Sequence, residues 1–218
     1  MGLVDIAQFE RDGCLIVPQL LGALELSAVD AAFSERASGA GQRHLIDHPA
    51  VMALLRHPRL REVVHSVLSP SAFAFKATRF DKRPDANWLV AWHQDLSIPV
   101  IGRTADPGWR AWSMKEGVQY VQPPHALLSP LLAVRINVDE CGDTDGPLHV
   151  VPESHATPGS VVPTMVCIGG AGDAWLLRPL LKHASSKMSS GSRRRVLHLE
   201  FADSDLPAGL HWHRRIAL

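Results

Sequence analysis

Apolar residues recur at helical spacing through the first third of the chain, then switch to strand-like alternation near residue 71. Residues 5–12 predict a short amphipathic helix with Ile6 and Phe9 turned inward. Gly13 is its expected stop, because glycine accepts the left-handed backbone that closes a helix. Cys14-Leu15-Ile16-Val17 reads as a short apolar strand closed by Pro18. Residues 24–36 return to helical spacing, with Leu26, Val29, Ala32 and Phe33 on one side, until Ser38-Gly39-Ala40-Gly41 breaks the pattern. Further helices are expected at 50–56 and 58–68, the second with Pro58 in its first turn. All of them are expected to buttress one face of a sheet.

In residues 72–80, Phe73, Phe75, Ala77 and Arg79 alternate with Ala74, Lys76, Thr78 and Phe80. Strands are also expected at 88–95, 131–138, 149–151, 161–168, 174–177 and 194–201. Within 131–138, Arg135 and Asn137 face opposite to Val134, Ile136 and Val138. The run Gly142-Asp143-Thr144-Asp145-Gly146-Pro147 is dense turn chemistry. Short strands separated by turns imply a sandwich or barrel. Residues 97–130 form a long insert carrying Pro99, Pro107, Trp109, Trp112, Met114 and Tyr120. Such an insert covers a substrate, or it is a surface excursion anchored by its aromatics. The whole reads as one domain: helical support over 1–70, a β core over 71–202 and a tail over 203–218.

Charge narrows the partners. The 22 basic and 22 acidic residues balance, so no global field favours nucleic acid or an anionic membrane. No apolar run approaches the ~20 residues of a membrane helix, and the first residues lack the regions of a signal peptide. Cys14, Cys141 and Cys167 are too few and too scattered for a disulfide framework, so a reducing, cytoplasmic setting is expected. Oligomeric state is not legible.

The chemistry centres on Trp92-His93-Gln94-Asp95. On an extended segment, a His and an Asp two positions apart share a face. A second His from far along the chain would complete a triad with open coordination positions, a geometry suited to ferrous iron. His183 is the best candidate. The chain holds 12 histidines, so most must be structural or superficial.

Four pieces then carry a family resemblance: Trp-His-Gln-Asp at 92–95, Asp-Gly-Pro-Leu-His-Val-Val-Pro-Glu-Ser-His at 145–155, His-Ala-Ser at 183–185 and Arg-Arg-Val-Leu at 194–197. In this order and spacing the sequence resembles the phytanoyl-CoA dioxygenase family of iron(II)/2-oxoglutarate oxygenases. The resemblance spans roughly residues 5–202. It implies a double-stranded β-helix (a cupin-like jelly roll) with flanking N-terminal helices. It implies His93, Asp95 and His183 as the iron ligands, and an acidic ligand that sets the chain apart from the halogenating relatives. The implied co-substrate is 2-oxoglutarate, consumed with molecular oxygen to hydroxylate a small molecule, giving succinate and carbon dioxide.

The family's co-substrate arginine falls about eleven residues after the distal His, which selects Arg194, with Arg195 next. Burying a carboxylate demands such a partner, since a guanidinium grips it through two parallel hydrogen bonds. Strand alternation sends Arg193 and Arg195 one way and Arg194 the other. Ser185 and Gln94 match family positions that touch the co-substrate, although alternation turns Gln94 away from the metal. Arg135 stands where relatives often carry Trp, and is a candidate second contact to the co-substrate or a substrate carboxylate. Glu153 replaces a usual Gly, and His155 reads as structural.

Three rivals remain. His211-Trp212-His213 is a second same-face pair, without a nearby carboxylate and in a tail expected to be mobile. A non-catalytic cupin-like binding module would share barrel and triad. A zinc-dependent hydrolase is the third, and its activity should survive strict exclusion of oxygen; a hydrolase built on Ser154-His155 reads poorly, because adjacent residues point apart on a strand. The substrate itself is out of reach of the sequence.

Overall fold

A computed structural model describes residues 4–30, 33, 41–157, 159 and 161–218. The helices are α1 (Ile6–Asp12), α2 (Ala23–Asp30), α3 (Pro49–Leu54), α4 (Pro58–Val67) and α5 (His125–Leu128). The strands begin with β1 (Cys14–Val17), β2 (Gly41–Gln42), β3 (Phe73–Lys82), β4 (Val90–His93), β5 (Ile98–Ile101), β6 (Arg110–Lys115) and β7 (Val118–Gln122). They continue with β8 (Leu132–Asn137), β9 (Leu148–Val150), β10 (Met165–Cys167), β11 (Ala174–Leu177) and β12 (His183–Ser185). The last are β13 (Arg194–Ala202), β14 (His211–Trp212) and β15 (Ile216–Ala217).

The major sheet runs β1-β11-β8-β13-β3-β15, with β2 added on β3. A minor sheet, β10-β9-β12-β4, is likewise antiparallel. Together they form a jelly roll, as expected. Alternation gives the major sheet two unlike faces. Its outer face presents Val134, Ile136, Leu176, Leu197, Leu199 and Phe201 to Leu54, Leu60, Val63 and Val64 of α3 and α4. Its inner face carries Thr78, Phe80, Arg135, Arg194, His198 and Glu200 into a cavity of about 250 Å³. An apolar outer wall thus supports a polar interior.

α1 forms where expected: the Asp5 side chain accepts from the Gln8 N–H at 3.0 Å, and Gly13 closes the helix at φ 73°. Phe9 is buried, but Ile6 is exposed. Three positions from Phe9, Ile6 sits roughly 60° around the wheel, beyond the narrow stripe that so short a helix buries. The expected helix over 24–36 is described as far as Asp30, with Phe33 also described. Its remaining positions, including Ala32, and the break at Ser38-Gly39-Ala40 lie outside the described residues.

Three other expectations need correction. The alternation read through residues 72–80 does not hold, because β3 carries a bulge. Lys76 pairs with Glu200 and Ala74 with Phe201, leaving Phe75 as the extra residue. Phe73, Phe75, Lys76, Thr78 and Phe80 therefore face inward, while Ala74 and Ala77 join the outer core.

The 97–130 insert is built of strands rather than loop, and its aromatics anchor it to the core, while Ser97 and Lys115 line the cavity. β5, β7, β6 and the C-terminal β14 make a third sheet. Its β6–β7 hairpin turns on Glu116 and Gly117, both at positive φ, the conformation that suits a two-residue hairpin. Trp109 and Val121 bury against Phe73, Phe75 and Leu210.

The tail beyond 203 is part of the fold. The Trp212 ring lies 4.4 Å from that of Phe75, and β15 pairs with β3. Among the described residues, no helix is long and apolar enough to cross a membrane.

Candidate metal centre

His93 ends β4 and His183 opens β12, and the two are direct cross-strand partners. Their ring centroids lie 4.2 Å apart. Each Nδ1 sits 2.8 Å from a carbonyl two residues back, of Ala91 and of Leu181. A carbonyl only accepts, so Nδ1 carries the proton and the Nε2 lone pair is left for a metal. Both lone pairs meet Asp95: His93 Nε2 lies 3.8 Å from Oδ1, and His183 Nε2 lies 3.7 Å from Oδ2. The Asp95 backbone N–H donates to Pro179 O at 2.9 Å, tying the segment to the stretch that leads into β12. An ion bonded at about 2.1 Å to each donor bridges such a span with small side-chain shifts.

Electrostatics suits the donor set. Burial opposes the Asp95 charge, yet His183, Lys76, His198 and His93 hold its carboxyl below the ordinary range. Burial depresses the His183 imidazolium, so the ring is neutral, as a ligand must be. Asp95, His198 and Glu200 are the other grouping of potential ligand atoms among the described residues. There the Lys76 ammonium already holds Glu200 at 2.9 Å, which disfavours a second cation.

Arg194 lies at one end of the cavity, buried, with Nη1 donating to Gly146 O at 2.8 Å and Nε without a partner. Arg135 and Lys82 lie nearby. Lys82 donates to Ser185 Oγ at 2.6 Å and to Ser186 O, with its ammonium over the Trp88 ring. Burial, with Arg194 and Arg135 beside it, pushes the Lys82 ammonium down to about 7. None of the three cations has an ion-pair partner among the described residues. Buried charge without a counter-ion is costly, so this end is built for an anion.

The family model for phytanoyl-CoA dioxygenase matches residues 9–196. The chain belongs to that family. Its fold recurs in the epimerase SnoN in complex with Fe3+, alpha ketoglutarate and nogalamycin RO: TM-score 0.68, 18% identity, 97% of this chain and 93% of that one. It recurs in AviO1 from Streptomyces viridochromogenes Tue57, with TM-score 0.66 at 19% identity, over 93% and 95% of the two chains. HygX from Streptomyces hygroscopicus with nickel and 2-oxoglutarate bound gives TM-score 0.65 at 14% identity, over 94% and 89%. A search of curated protein sequences finds no match.

The structure brings most of the phytanoyl-CoA dioxygenase positions read from the sequence to one cavity: His93, Asp95, His183, Ser185, Arg135 and Arg194. Of the three consecutive arginines only Arg194 enters it. Arg193 pairs with Asp81 at 2.8 Å and Arg195 with Asp139 at 2.6 Å, both on the other face. Gln94 is a correction: it does not line the cavity, and its amide donates to Leu180 O. Sitting between two ligands that share a face, it must point away, and it pins the β4 end to the approach to His183. His211 and His213 belong to no ligand cluster of the described residues. His155 Nε2 lies 3.2 Å from Glu10 O and Ser154 Oγ donates to Val151 O, so both are structural.

Sequence reasoning missed Lys82 and the Lys76–Glu200–His198 group. Lys82 is signalled by the register opposite Arg194. Lys76 and His198 needed the bulge and the barrel closure to be known.

Proposed function

We propose that the chain is an iron(II)/2-oxoglutarate-dependent dioxygenase that hydroxylates an aliphatic C–H bond of a small-molecule metabolite. One observation carries this reading: a two-His, one-carboxylate cluster shares a cavity with Arg135 and Arg194, two guanidinium groups without counter-ions among the described residues, and Lys82 stands behind Ser185 at the same end. Arg194 Nε, a buried donor without an acceptor among the described residues, fits one carboxylate of a diacid at that cationic end. SnoN and HygX, folded alike, were solved with iron or nickel and this co-substrate.

In this reading, bound iron with 2-oxoglutarate and molecular oxygen supplies the oxidising power, with release of succinate and carbon dioxide. The chain's residues hold and orient. His93, Asp95 and His183 present three donors from one side, leaving the opposite face to reactants. Arg194 would hold the distal carboxylate of the co-substrate through paired N–H groups. Lys82 and Ser185 sit beside it, and Arg135 adds a second guanidinium toward the metal end. The inward-facing Phe80 and Trp88 limit water around these charges, which strengthens each contact. All three cysteines are free and buried, which suits a reducing, cytoplasmic setting.

The test is uncoupled turnover. Purified protein with ferrous iron, 2-oxoglutarate and air is expected to form succinate slowly. His93→Ala and Asp95→Ala should abolish it. Equal rates in the wild type and both variants would sink the reading.

A further inference from the structure

The cavity is longer than the co-substrate needs. Along β13, Arg194 and Glu200 both face inward, six residues apart, which is roughly 20 Å at 3.3 Å per residue. The five-carbon diacid spans less than half of that. The far end, beyond Asp95, is therefore left to the substrate.

That end is also charged. Lys76 is held by Glu200 at 2.9 Å, and both line the cavity. Arg43 is paired with Glu116 at 3.0 Å, on the exposed rim. Lys115 is different. Its ammonium donates to Ser97 Oγ at 2.9 Å and lies 4.6 Å from the Tyr120 ring centre, but no carboxylate pairs with it among the described residues. Burial disfavours its charge, and Lys76 and Arg43 disfavour it further. Asp95 and Glu200 favour it from a distance, but one serves the metal and the other is held by Lys76. Three cations thus converge with one of them uncompensated, an arrangement that an incoming anion relieves.

We infer that the substrate of this oxygenase carries an anionic group, a carboxylate or a phosphate, which docks on Lys115 and Ser97 with Arg43 at the rim. This rests on the oxygenase reading above. The anchor sets which C–H bond reaches the metal, so Lys115 is a specificity-determining residue. The substrate is also small. The cavity of about 250 Å³ falls below the roughly 300–1,000 Å³ of drug-sized pockets and must hold the co-substrate as well.

The experiment uses the full chain loaded with cobalt(II) and saturating 2-oxoglutarate, so that the Arg194 end is filled. Phenyl phosphate, phenylacetate and neutral benzamide are titrated in, and paramagnetic broadening of their ring-proton NMR signals is followed. Saturable broadening is expected for at least one anion, with benzamide about tenfold weaker or more. The tighter of the two anions tells phosphate from carboxylate. Lys115→Met should weaken that anion about tenfold or more, and Lys115→Arg should restore it, with 2-oxoglutarate affinity as the check on folding. Benzamide binding as well as the anions, no saturable anion, or indifference to Lys115→Met would overturn the inference. Failure of cobalt and 2-oxoglutarate to bind at all would overturn the oxygenase reading, and the inference with it.

Discussion

His93 and His183 are 90 residues apart in sequence and face each other as one rung of the minor sheet, ring centres 4.2 Å apart. Backbone pairing, rather than loop packing, fixes the distance between the two imidazoles. Rigid sheet positions hold a metal site more accurately than loops do. His183→Ala should therefore lower ferrous or nickel affinity by about 100-fold or more, beyond the usual effect of losing a supporting group. The fold should survive, because the His183 backbone keeps its pairing with His93 and Val150. Metal titration by calorimetry, with circular dichroism alongside, checks both statements.

Lys82 gives the site a pH dependence. Its folded value of about 7 lies below the ordinary 10.5, chiefly through burial and then through Arg194 and Arg135. The unfolded chain thus binds more protons between about pH 7 and 10.5, and this group makes the empty protein less stable as pH falls through that window. A bound dicarboxylate reverses the balance by giving the ammonium a partner. Affinity for 2-oxoglutarate should then fall as pH rises from 7 to 9, by up to about tenfold per unit where one proton is taken up. Lys82→Met should flatten that slope. Titrations at several pH values in this range, on both proteins, provide the measurement.

Neighbouring arginines should behave oppositely. Arg194 is buried and faces the cavity, whereas Arg195 faces outward and pairs with Asp139 through two hydrogen bonds. Arg194→Met should cost about 100-fold or more in 2-oxoglutarate affinity, the scale of a lost buried charge pair. It should leave the melting temperature of the empty protein unchanged or higher, because an uncompensated buried charge is removed. Arg195→Met should keep 2-oxoglutarate affinity and lose about 1 kcal/mol of stability. Thermal melts and binding isotherms on the two variants separate these outcomes.

How much of this was legible depends on whether a feature is local. Gly13 as a helix stop, the apolar face of Pro58–Val67 and the opposed directions of Arg194 and Arg195 follow from backbone periodicity, and each stands in the structure. The face assignment of β3 failed at Phe75, because a bulge depends on the partner strand and leaves no mark in the alternation itself. The insert's strands are obscured by Pro99, which stands within β5, and only Gly117 marks the turn between β6 and β7 locally. The tail looked mobile because the partners of Trp212, Phe73 and Phe75, lie over 130 residues away. The site was legible where ligands sit on neighbouring strand positions, as His93 and Asp95 do. Lys76 and Lys115 carry no local signal that separates them from surface lysines, and barrel closure turns them inward.

One departure from the family pattern shows a cost that can be recovered. Glu153 sits at φ 66°, the left-handed region that glycine occupies freely and other residues enter at a penalty of about 1 kcal/mol. The turn is fixed from both sides: the Glu153 N–H donates to Asp12 O at 3.0 Å, and its carbonyl accepts from Ala156 and Thr157. The backbone therefore cannot relax to a negative φ without losing three hydrogen bonds. Glu153→Gly removes the side-chain clash while keeping those bonds, but it also gives the unfolded chain more freedom, which offsets part of the gain. A net stabilisation of about 0.5–1 kcal/mol is expected, a rise of roughly 1–4 °C in melting temperature for a chain of this size. Turnover and metal affinity should not change, since the turn lies outside the cavity lining. A melting temperature that falls on this substitution would show that the Glu153 side chain stabilises the turn by more than its backbone strain costs.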